Sequence, residues 1–268
     1  MKESDPPTPT GIDVYRPAEI AKLIENAGVA KTRSPLLSVA TLGALAGAFI
    51  SFGALFHLAV LVGADPTSGV VRLAAGVAFS LGLVLVIVGG AELFTGNALL
   101  VMAWVDGLIS LSALLRNWTL VYVANFAGAL AIVASAWAAG LDHEPIGAIA
   151  RGITERKFGL GAVELFARGA LCNALVCLAV WLSFAARSAG DKVLVIVPPI
   201  AAFVALGFEH SVANMFLLPF GMLAGATGGI GAFGDNLLWV TLGNIAGGSG
   251  GVAIAYWAAY RASRSPNR

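Results

Sequence analysis

Two long apolar stretches of this chain are each interrupted by the same kind of motif: Gly90-Ala91-Glu92-Leu93-Phe94-Thr95-Gly96-Asn97, and later Gly207-Phe208-Glu209-His210-Ser211-Val212-Ala213-Asn214. Each interruption puts a carboxylate where hydrocarbon is expected. Ionisable and hydrogen-bonding side chains are costly inside a bilayer, so they persist where the backbone breaks and lines a cavity or a path. A matched pair of breaks predicts a pore between two halves of one chain.

The surrounding sequence is that of a polytopic helical membrane protein. Of its 268 residues 58% are hydrophobic and only 12% are charged, about half the charge of a soluble domain. No basic patch with interleaved aromatics is present, which argues against nucleic acid as a partner. Cys172 and Cys177, five apart in an apolar stretch, read as small buried residues rather than as a disulfide or metal pair. No nucleophile–base pair, metal-ligand spacing or phosphate-cradling loop supports an enzyme, so no metal or cofactor is expected.

Hydropathy and breaker residues give six spans, each long enough for a ~30 Å hydrocarbon layer. They run from Pro35 to Val62, Leu73 to Trp104, Trp118 to Ala139, Val163 to Ala186, Val193 to Met222 and Leu237 to Tyr260, with the breaks in the second and fifth. The expected organisation is an N-terminal segment (1–34), a transport domain (35–262) and a short tail (263–268). No cleavable signal peptide is expected ahead of the first span. Instead the run Pro17 to Ala27 places Ile20, Leu23, Ile24 and Ala27 on one helical face, as in a helix lying on the membrane or across a pore mouth. With both termini inside, Lys2, Arg16, Lys22, Lys31, Arg33, Arg116, Arg187, Lys192, Arg261, Arg264 and Arg268 fall on the inner side, eleven of the sixteen basic residues. That excess predicts cytoplasmic termini. The outer connection with Arg151, Arg156 and Lys157 is the exception.

An internal repeat accompanies the breaks. Asn117, Asn125 and Gly128 recur as Asn236, Asn244 and Gly247, each 119 residues on, and Glu92 recurs as Glu209 after 117. Three spans per half give the halves opposite membrane sense, related by a pseudo-two-fold axis in the membrane plane. Small-residue runs, Gly43 to Gly47 and Gly243 to Gly251, predict close helix approach. Gly90, Gly96 and Gly207 are expected to supply the unwound backbone.

These motifs resemble the formate/nitrite transporters of bacteria, over about Ala18 to Tyr260. The two interruptions match the family's two signatures, the second extending to Met215, and the stretch Leu171 to Trp181 is typical of it. The resemblance implies a homopentamer in the inner membrane, with an aquaporin-like protomer fold and a pore in each protomer. It further implies that His210 faces Thr95 in the pore, with Asn214 and Asn244 close by and Lys157 near the periplasmic mouth. Phe79 and Phe203 match the periplasmic constriction, and Leu83 and Leu93 the cytoplasmic one.

The chemistry of these residue types fits a small monovalent anion. A monocarboxylate of pKa about 4 is charged at neutral pH and is disfavoured between Phe79, Phe203, Leu83 and Leu93 unless it is protonated. Lys157 can attract the anion, His210 can donate a hydrogen bond or a proton, and Thr95 can orient the imidazole. Glu92 and Glu209 are expected to hold the breaks by accepting from freed backbone N–H groups. His57 and His143, outside the breaks, read as structural or surface residues, and Trp104, Trp118 and Trp239 as interfacial anchors. Formate is the expected substrate. The stretch Asn236 to Asn244, which looks like the nitrite-carrying branch, keeps nitrite and hydrosulfide open. A neutral-solute channel of the aquaporin type would carry paired Asn-Pro-Ala motifs, which neither break contains.

Overall fold

A computed structural model describes residues 14–261, and all its regular structure is helical. Lys2, Arg264 and Arg268 of the orientation argument, and the tail expected at 263–268, lie outside the described residues. Helix α1 (Pro17–Arg33) carries the amphipathic run and extends six residues past it, with Ile20, Ala21, Ile24, Glu25 and Gly28 buried. It is followed by α2 (Leu36–Leu61) and α3 (Gly69–Gly89). After irregular backbone come a 3-10 turn (Gly96–Leu100) and the short α4 (Val101–Val105). Then follow α5 (Leu111–Ala138), α6 (Pro145–Phe158), α7 (Ala162–Ala185), α8 (Ala189–Ala205) and α9 (Ser211–Leu223). The last stretch is α10 (Gly229–Ile245), a π-helical segment (Ala246–Ile254) and α11 (Ala255–Tyr260).

Five helical stretches are long and apolar enough to cross a membrane: α2, α3, α5, α7 and the continuous run Gly229–Tyr260. Two apolar pieces, Gly96–Val105 and Ser211–Leu223, are shorter. They follow the interruptions, so the expected second and fifth spans are each composed of two helical pieces. Helices α5 and α10 begin seven and eight residues before the expected starts at Trp118 and Leu237. The missed turns contain Arg116 and Asp235, whose charges lower local hydropathy although their backbones stay helical. The connection between α5 and α7 contains α6, which hydropathy alone could not reveal.

Helix α2 packs between α3 and α5, α7 packs between α8 and α10, and α3 meets α8. Side chains such as Leu37, Val70, Val163, Leu194 and Ile230 stay exposed on the outside, an apolar surface suited to lipid or neighbouring protomers. Arg261, at the end of the described chain, reaches back to Glu25 of α1 at 2.9 Å and to Asp106 at 3.1 Å. The start and end of the described chain therefore meet at one face.

Glycine sets the helix spacing at the crossings. A Cβ on Gly47 would lie 1.9 Å from the Asn125 carbonyl oxygen, one on Gly128 1.8 Å from that of Ala44, and one on Gly247 1.9 Å from that of Ala170. Backbone fills the space that a side chain would need. Gly43, Gly243 and Gly248 are also crowded, a Cβ there lying 2.6, 2.2 and 2.4 Å from its nearest neighbour, whereas Gly250 and Gly251 face open space, so the second small-residue run is a contact surface only in part. Of the three glycines expected to unwind, Gly90 (φ 78°) and Gly207 (φ 73°) are left-handed. Gly96 is not. It opens the 3-10 turn, and a Cβ there would touch only Val180, at 3.5 Å.

Two outcomes follow. Gly47→Ala and Gly128→Ala each overpack the α2–α5 crossing and lower stability by about 1–3 kcal/mol, read as a lower melting temperature in detergent, while Gly250→Ala leaves the melt unchanged. Equal melts for all three would remove the close-packing account. The second outcome concerns α1. Burial raises the Glu25 carboxyl pKa above its ordinary value, against the opposing hydrogen bond and charge of Arg261. A raised folded-state pKa means that docking of α1 is strongest at low pH and weakens as pH rises through the raised value. Arg261→Ala should cut hydrogen-exchange protection of α1 about tenfold at neutral pH, below the effect of a fully buried pair, and acidification should restore part of it. Unchanged protection at both pH values would rule the ion pair out as the element that holds α1.

Candidate functional site

The two interruptions present the same unsatisfied backbone and solve it in the same way. After Gly90, the Glu92 N–H donates to the Leu42 carbonyl (3.1 Å), and the Phe94 N–H donates to Asn125 Oδ1 (2.9 Å). After Gly207, the Glu209 N–H donates to the Arg168 carbonyl (3.3 Å), and the Ser211 N–H donates to Asn244 Oδ1 (2.9 Å). The Asn125 amide returns two hydrogen bonds, to the carbonyls of Gly43 and Glu92 (both 2.8 Å). Asn244 does the same to Gly169 (2.8 Å) and Glu209 (2.9 Å). One asparagine thus serves an N–H and a carbonyl of the interruption that a helix would have paired internally, and ties them to a carbonyl of the neighbouring helix.

The glutamate side chains act elsewhere, a correction to the expectation that they accept from freed N–H groups. Glu92 accepts from Lys31 Nζ (3.0 Å) and Asn97 Nδ2 (2.8 Å), while Asn97 Nδ2 also donates to Asn117 Oδ1 (3.0 Å). Glu209 accepts from Lys157 Nζ through both oxygens (2.7 Å each) and from Asn214 Nδ2 (2.8 Å), which donates in turn to Asn236 Oδ1 (2.8 Å). The carboxylates need partners of their own in a place this dry, and a lysine and an asparagine fit a charge better than a single backbone amide. The side chains of Lys157 and Glu209 are 14% and 3% exposed. This is a buried pair, not a surface one.

The correspondence runs deeper than the sequence repeat. Gly43, Lys31 and Leu42 stand 126 residues before Gly169, Lys157 and Arg168, while Glu92 and Asn97 stand 117 before Glu209 and Asn214. Lys31 carried no signal in the sequence, because its partner Glu92 lies 61 residues away. Trp118 also does more than anchor an interface: its Nε1 donates to the Asn97 carbonyl at 2.9 Å.

The symmetry fails at His210, and the difference is chemical. His210 precedes α9 as its N-cap, with Nδ1 accepting from the Ala213 N–H at 3.1 Å. Leu93, its counterpart, cannot cap, and the chain restarts there as a 3-10 turn. With Nδ1 occupied as an acceptor, the ring carries its proton on Nε2, which faces Thr95 Oγ1 at 2.9 Å. Thr95 is fully buried, its own carbonyl accepting from Asn173 Nδ2 (3.2 Å) and the Cys177 thiol (3.4 Å).

Two cavities adjoin this pair: His210 lines the larger, and Leu93 and Gly96, on either side of Thr95 in the chain, line the smaller, while Thr95 itself lines neither. The larger, about 610 Å³, is lined by Phe79, Phe203, His210, Asn214, Lys157, Arg72, Arg156, Arg168 and His57 among others. The smaller, about 230 Å³, is lined by Leu83, Leu93, Glu92, Asn97, Lys31 and Lys192, with Ile24 and Gly28 of α1 along its edge. Phe79 and Phe203 meet edge to face, 5.5 Å between ring centroids, and Phe203 stacks on His210 at 5.9 Å. Of the expected pore residues, His210, Asn214, Lys157, Phe79 and Phe203 gather at the larger cavity, and Leu83 and Leu93 at the smaller. Asn214 keeps Oδ1 without a partner among the described residues. Asn244 lines neither cavity, because both ends of its amide are committed to backbone. Sequence reasoning missed His57. It lines the larger cavity edge to face with Phe79, 6.3 Å between centroids. No group of His, Cys, Asp and Glu able to hold a metal ion occurs among the described residues.

Comparison with known proteins agrees with this geometry. A family model described as formate/nitrite transporter matches residues 18–258. The formate channel FocA of Escherichia coli (strain K12) is 37% identical, the alignment covering 97% of this chain and 98% of that protein. A probable formate transporter of Methanothermobacter thermautotrophicus is 39% identical over 93% of this chain and 98% of its own. Among solved structures, a pentameric formate channel with formate bound superposes with a TM-score of 0.76 at 38% identity, covering 84% of this chain and 97% of that one. An FNT family ion channel superposes at 0.84 with 30% identity, covering 90% and 98%. With two motif-bearing breaks, their asparagine clamps and a match along nearly the whole chain, this multi-pass membrane protein belongs to the formate/nitrite transporter family.

Proposed function

We propose that this chain conducts a small monovalent acid, formate foremost, through a pore in each protomer of a homopentamer in the bacterial inner membrane, with both termini in the cytoplasm. The single observation that carries the reading is the pair of cavities that adjoin the buried Thr95–His210 contact, the larger reaching His210 between Phe79 and Phe203 and the smaller reaching Leu93 and Gly96 beside Thr95. The named substrate of the similar FocA proteins and the pentamer seen for a structural relative support substrate and assembly. In this reading six spans form two inverted three-helix repeats in an aquaporin-like protomer, with α3–α4 and α8–α9 as the broken second and fifth spans. The meeting of α1 with Arg261, and the basic residues Lys31 and Lys192 that line the smaller cavity beside α1, support the orientation.

The mechanism follows from what the site offers an anion. Lys157 and the arginines Arg72, Arg156 and Arg168 raise the anion's concentration in the larger cavity. Beyond Phe79 and Phe203 the anion loses its water, and desolvation raises the pKa of a carboxylic acid by favouring its neutral form. A formate ion therefore gains affinity for a proton as it enters. His210 is arranged as a neutral donor: Nε2–H donates to Thr95 Oγ1, which leaves the threonine hydroxyl proton free for a substrate oxygen. An imidazolium would set a second N–H against that of Ala213. The proton that neutralises the substrate accordingly comes from cavity water, and His210 with Thr95 holds the acid while it crosses. Nitrite and hydrosulfide, also anions of weak acids, obey the same logic, and the stretch Asn236 to Asn244 keeps them as the second reading.

Uptake of formate, nitrite and hydrosulfide into proteoliposomes, with a pH dye inside, tests the substrate. Formate is expected to move fastest and to bring one proton with each molecule; dominance by nitrite or hydrosulfide transfers the proposal to that anion, and no flux of any of them overturns it. His210→Asn retains a polar group that can still cap α9 but loses the aligned Nε2–H. Proton-linked flux should fall at least about a hundredfold, the scale of a removed preorganised hydrogen-bond donor, with the oligomer intact by size-exclusion chromatography. Full, still pH-dependent flux in this variant would eliminate the role given to His210.

A further inference from the structure

The larger cavity contains a second imidazole whose hydrogen-bonding sense is opposite to that of His210. His57 on α2 lies 3.2 Å from the Ala75 carbonyl through Nδ1, and a carbonyl only accepts, so Nδ1 carries the proton. Nε2 is left as a lone pair with no partner among the described residues, on a side chain that lines the cavity. His210 presents Nε2–H; His57 presents bare Nε2. The two rings are joined by the aromatic constriction: His57 to Phe79 at 6.3 Å, Phe79 to Phe203 at 5.5 Å, and Phe203 to His210 at 5.9 Å between centroids.

A lone pair in this place is poorly matched to an anion and well matched to an O–H donor. Resting on the conduction reading above, we infer that His57 is a proton-accepting residue for the neutral acid on the outer side of the Phe79–Phe203 constriction. The acid's O–H donates to Nε2; the O–H bond then breaks with its electron pair remaining on the carboxylate oxygen, and an N–H bond forms at Nε2. The imidazolium gives the same proton to cavity water and returns to its starting state. In uptake the steps run in reverse, with His57 handing the anion its proton at the constriction.

The surrounding charges favour turnover over trapping. Facing His57 across the cavity are Arg72 of α3, Arg156 and Lys157 of α6, Arg168 of α7, and Glu209 with His210 from the second interruption. Glu209 is neutralised by its pair with Lys157 at 2.7 Å. The net field is cationic, so it opposes a standing imidazolium and stabilises the released anion beside it. A residue that gains a proton only while an anion is next to it couples the two movements.

The test uses the full-length protein in proteoliposomes with a pH dye inside and the larger cavity facing out. His57→Ala is expected to lower proton-linked formate flux roughly tenfold, a modest case of general acid–base assistance, and to flatten its dependence on outer pH. His57→Gln, which can accept a hydrogen bond but not a proton, should retain apparent formate affinity and lose the rate. Imidazole added outside His57→Ala should restore flux in proportion to its neutral form. Unchanged flux and pH profile in His57→Ala, or lost flux that imidazole fails to restore in a variant with the parent's melting temperature and oligomeric state, overturns the inference. Absence of formate flux in the parent protein would instead overturn the conduction reading itself.

Discussion

Everything in this protein rests on satisfying the hydrogen bonds that the two motif-bearing interruptions leave open inside an apolar fold. A backbone that leaves helical geometry in hydrocarbon exposes donors and acceptors with no water to take them. Asn125 and Asn244 answer this with one amide each, Oδ1 accepting an N–H that follows the break and Nδ2 bridging a carbonyl of the break to one on a neighbouring helix. A leucine in either place would leave the break's N–H and carbonyl unpaired, each costing about 1–3 kcal/mol. The glutamates are held separately, by a lysine and an asparagine each. Removal of one of those lysines would strand a buried carboxylate, a different failure from loss of the backbone clamp.

These clamps reach only because the helices lie unusually close. Asn125 on α5 spans to Gly43 on α2 within 2.8 Å, and the crossing that permits it is the one where a Cβ on Gly47 would strike the Asn125 carbonyl. The second half repeats the device with Asn244, Gly169 and the Gly243–Gly247 surface. In lipid, helix association has no water-driven apolar term to rely on, so close contact and interhelical hydrogen bonds carry it. Here the same glycines serve both. The contact that packs α2 on α5 also carries the amide to the break.

How far the sequence revealed this depends on whether the informative residues are near one another in the chain. Both interruptions, the apolar helical character of the chain, the N-terminal helix and the Asn and Gly repeat were legible because each is a local pattern or a fixed offset. The starts of α5 and α10 were not, since Arg116 and Asp235 lower hydropathy without ending a helix. Helix α6 was missed for a similar reason: its mixed sequence gives no membrane signal, yet it supplies Lys157. The division of labour at the breaks needed coordinates, because sequence placed Glu92 and Asn125 in the right motifs but not which of them would meet a backbone N–H. Lys31 and His57 were invisible as site residues, for their partners come from other helices. The family resemblance marked positions, and geometry separated Asn214, at a cavity, from Asn244, committed to the backbone.

The chemical difference between Leu93 and His210 in the repeated scaffold falls where the proposed path narrows. Leu93 and His210 occupy equivalent positions 117 residues apart. A duplicated frame with leucine at both would be a closed apolar plug. With one of each, the histidine caps α9 through Nδ1 and points Nε2 at Thr95, two residues past Leu93 in the opposite half. The cap fixes the ring's tautomer, the tautomer fixes Nε2 as a donor, and a donor in a dry constriction favours a substrate oxygen over a cation. In the proposed path, selectivity for a weak acid thus begins in an ordinary requirement of helix geometry: the first free N–H groups of a restarting helix need an acceptor, and here that acceptor is an imidazole.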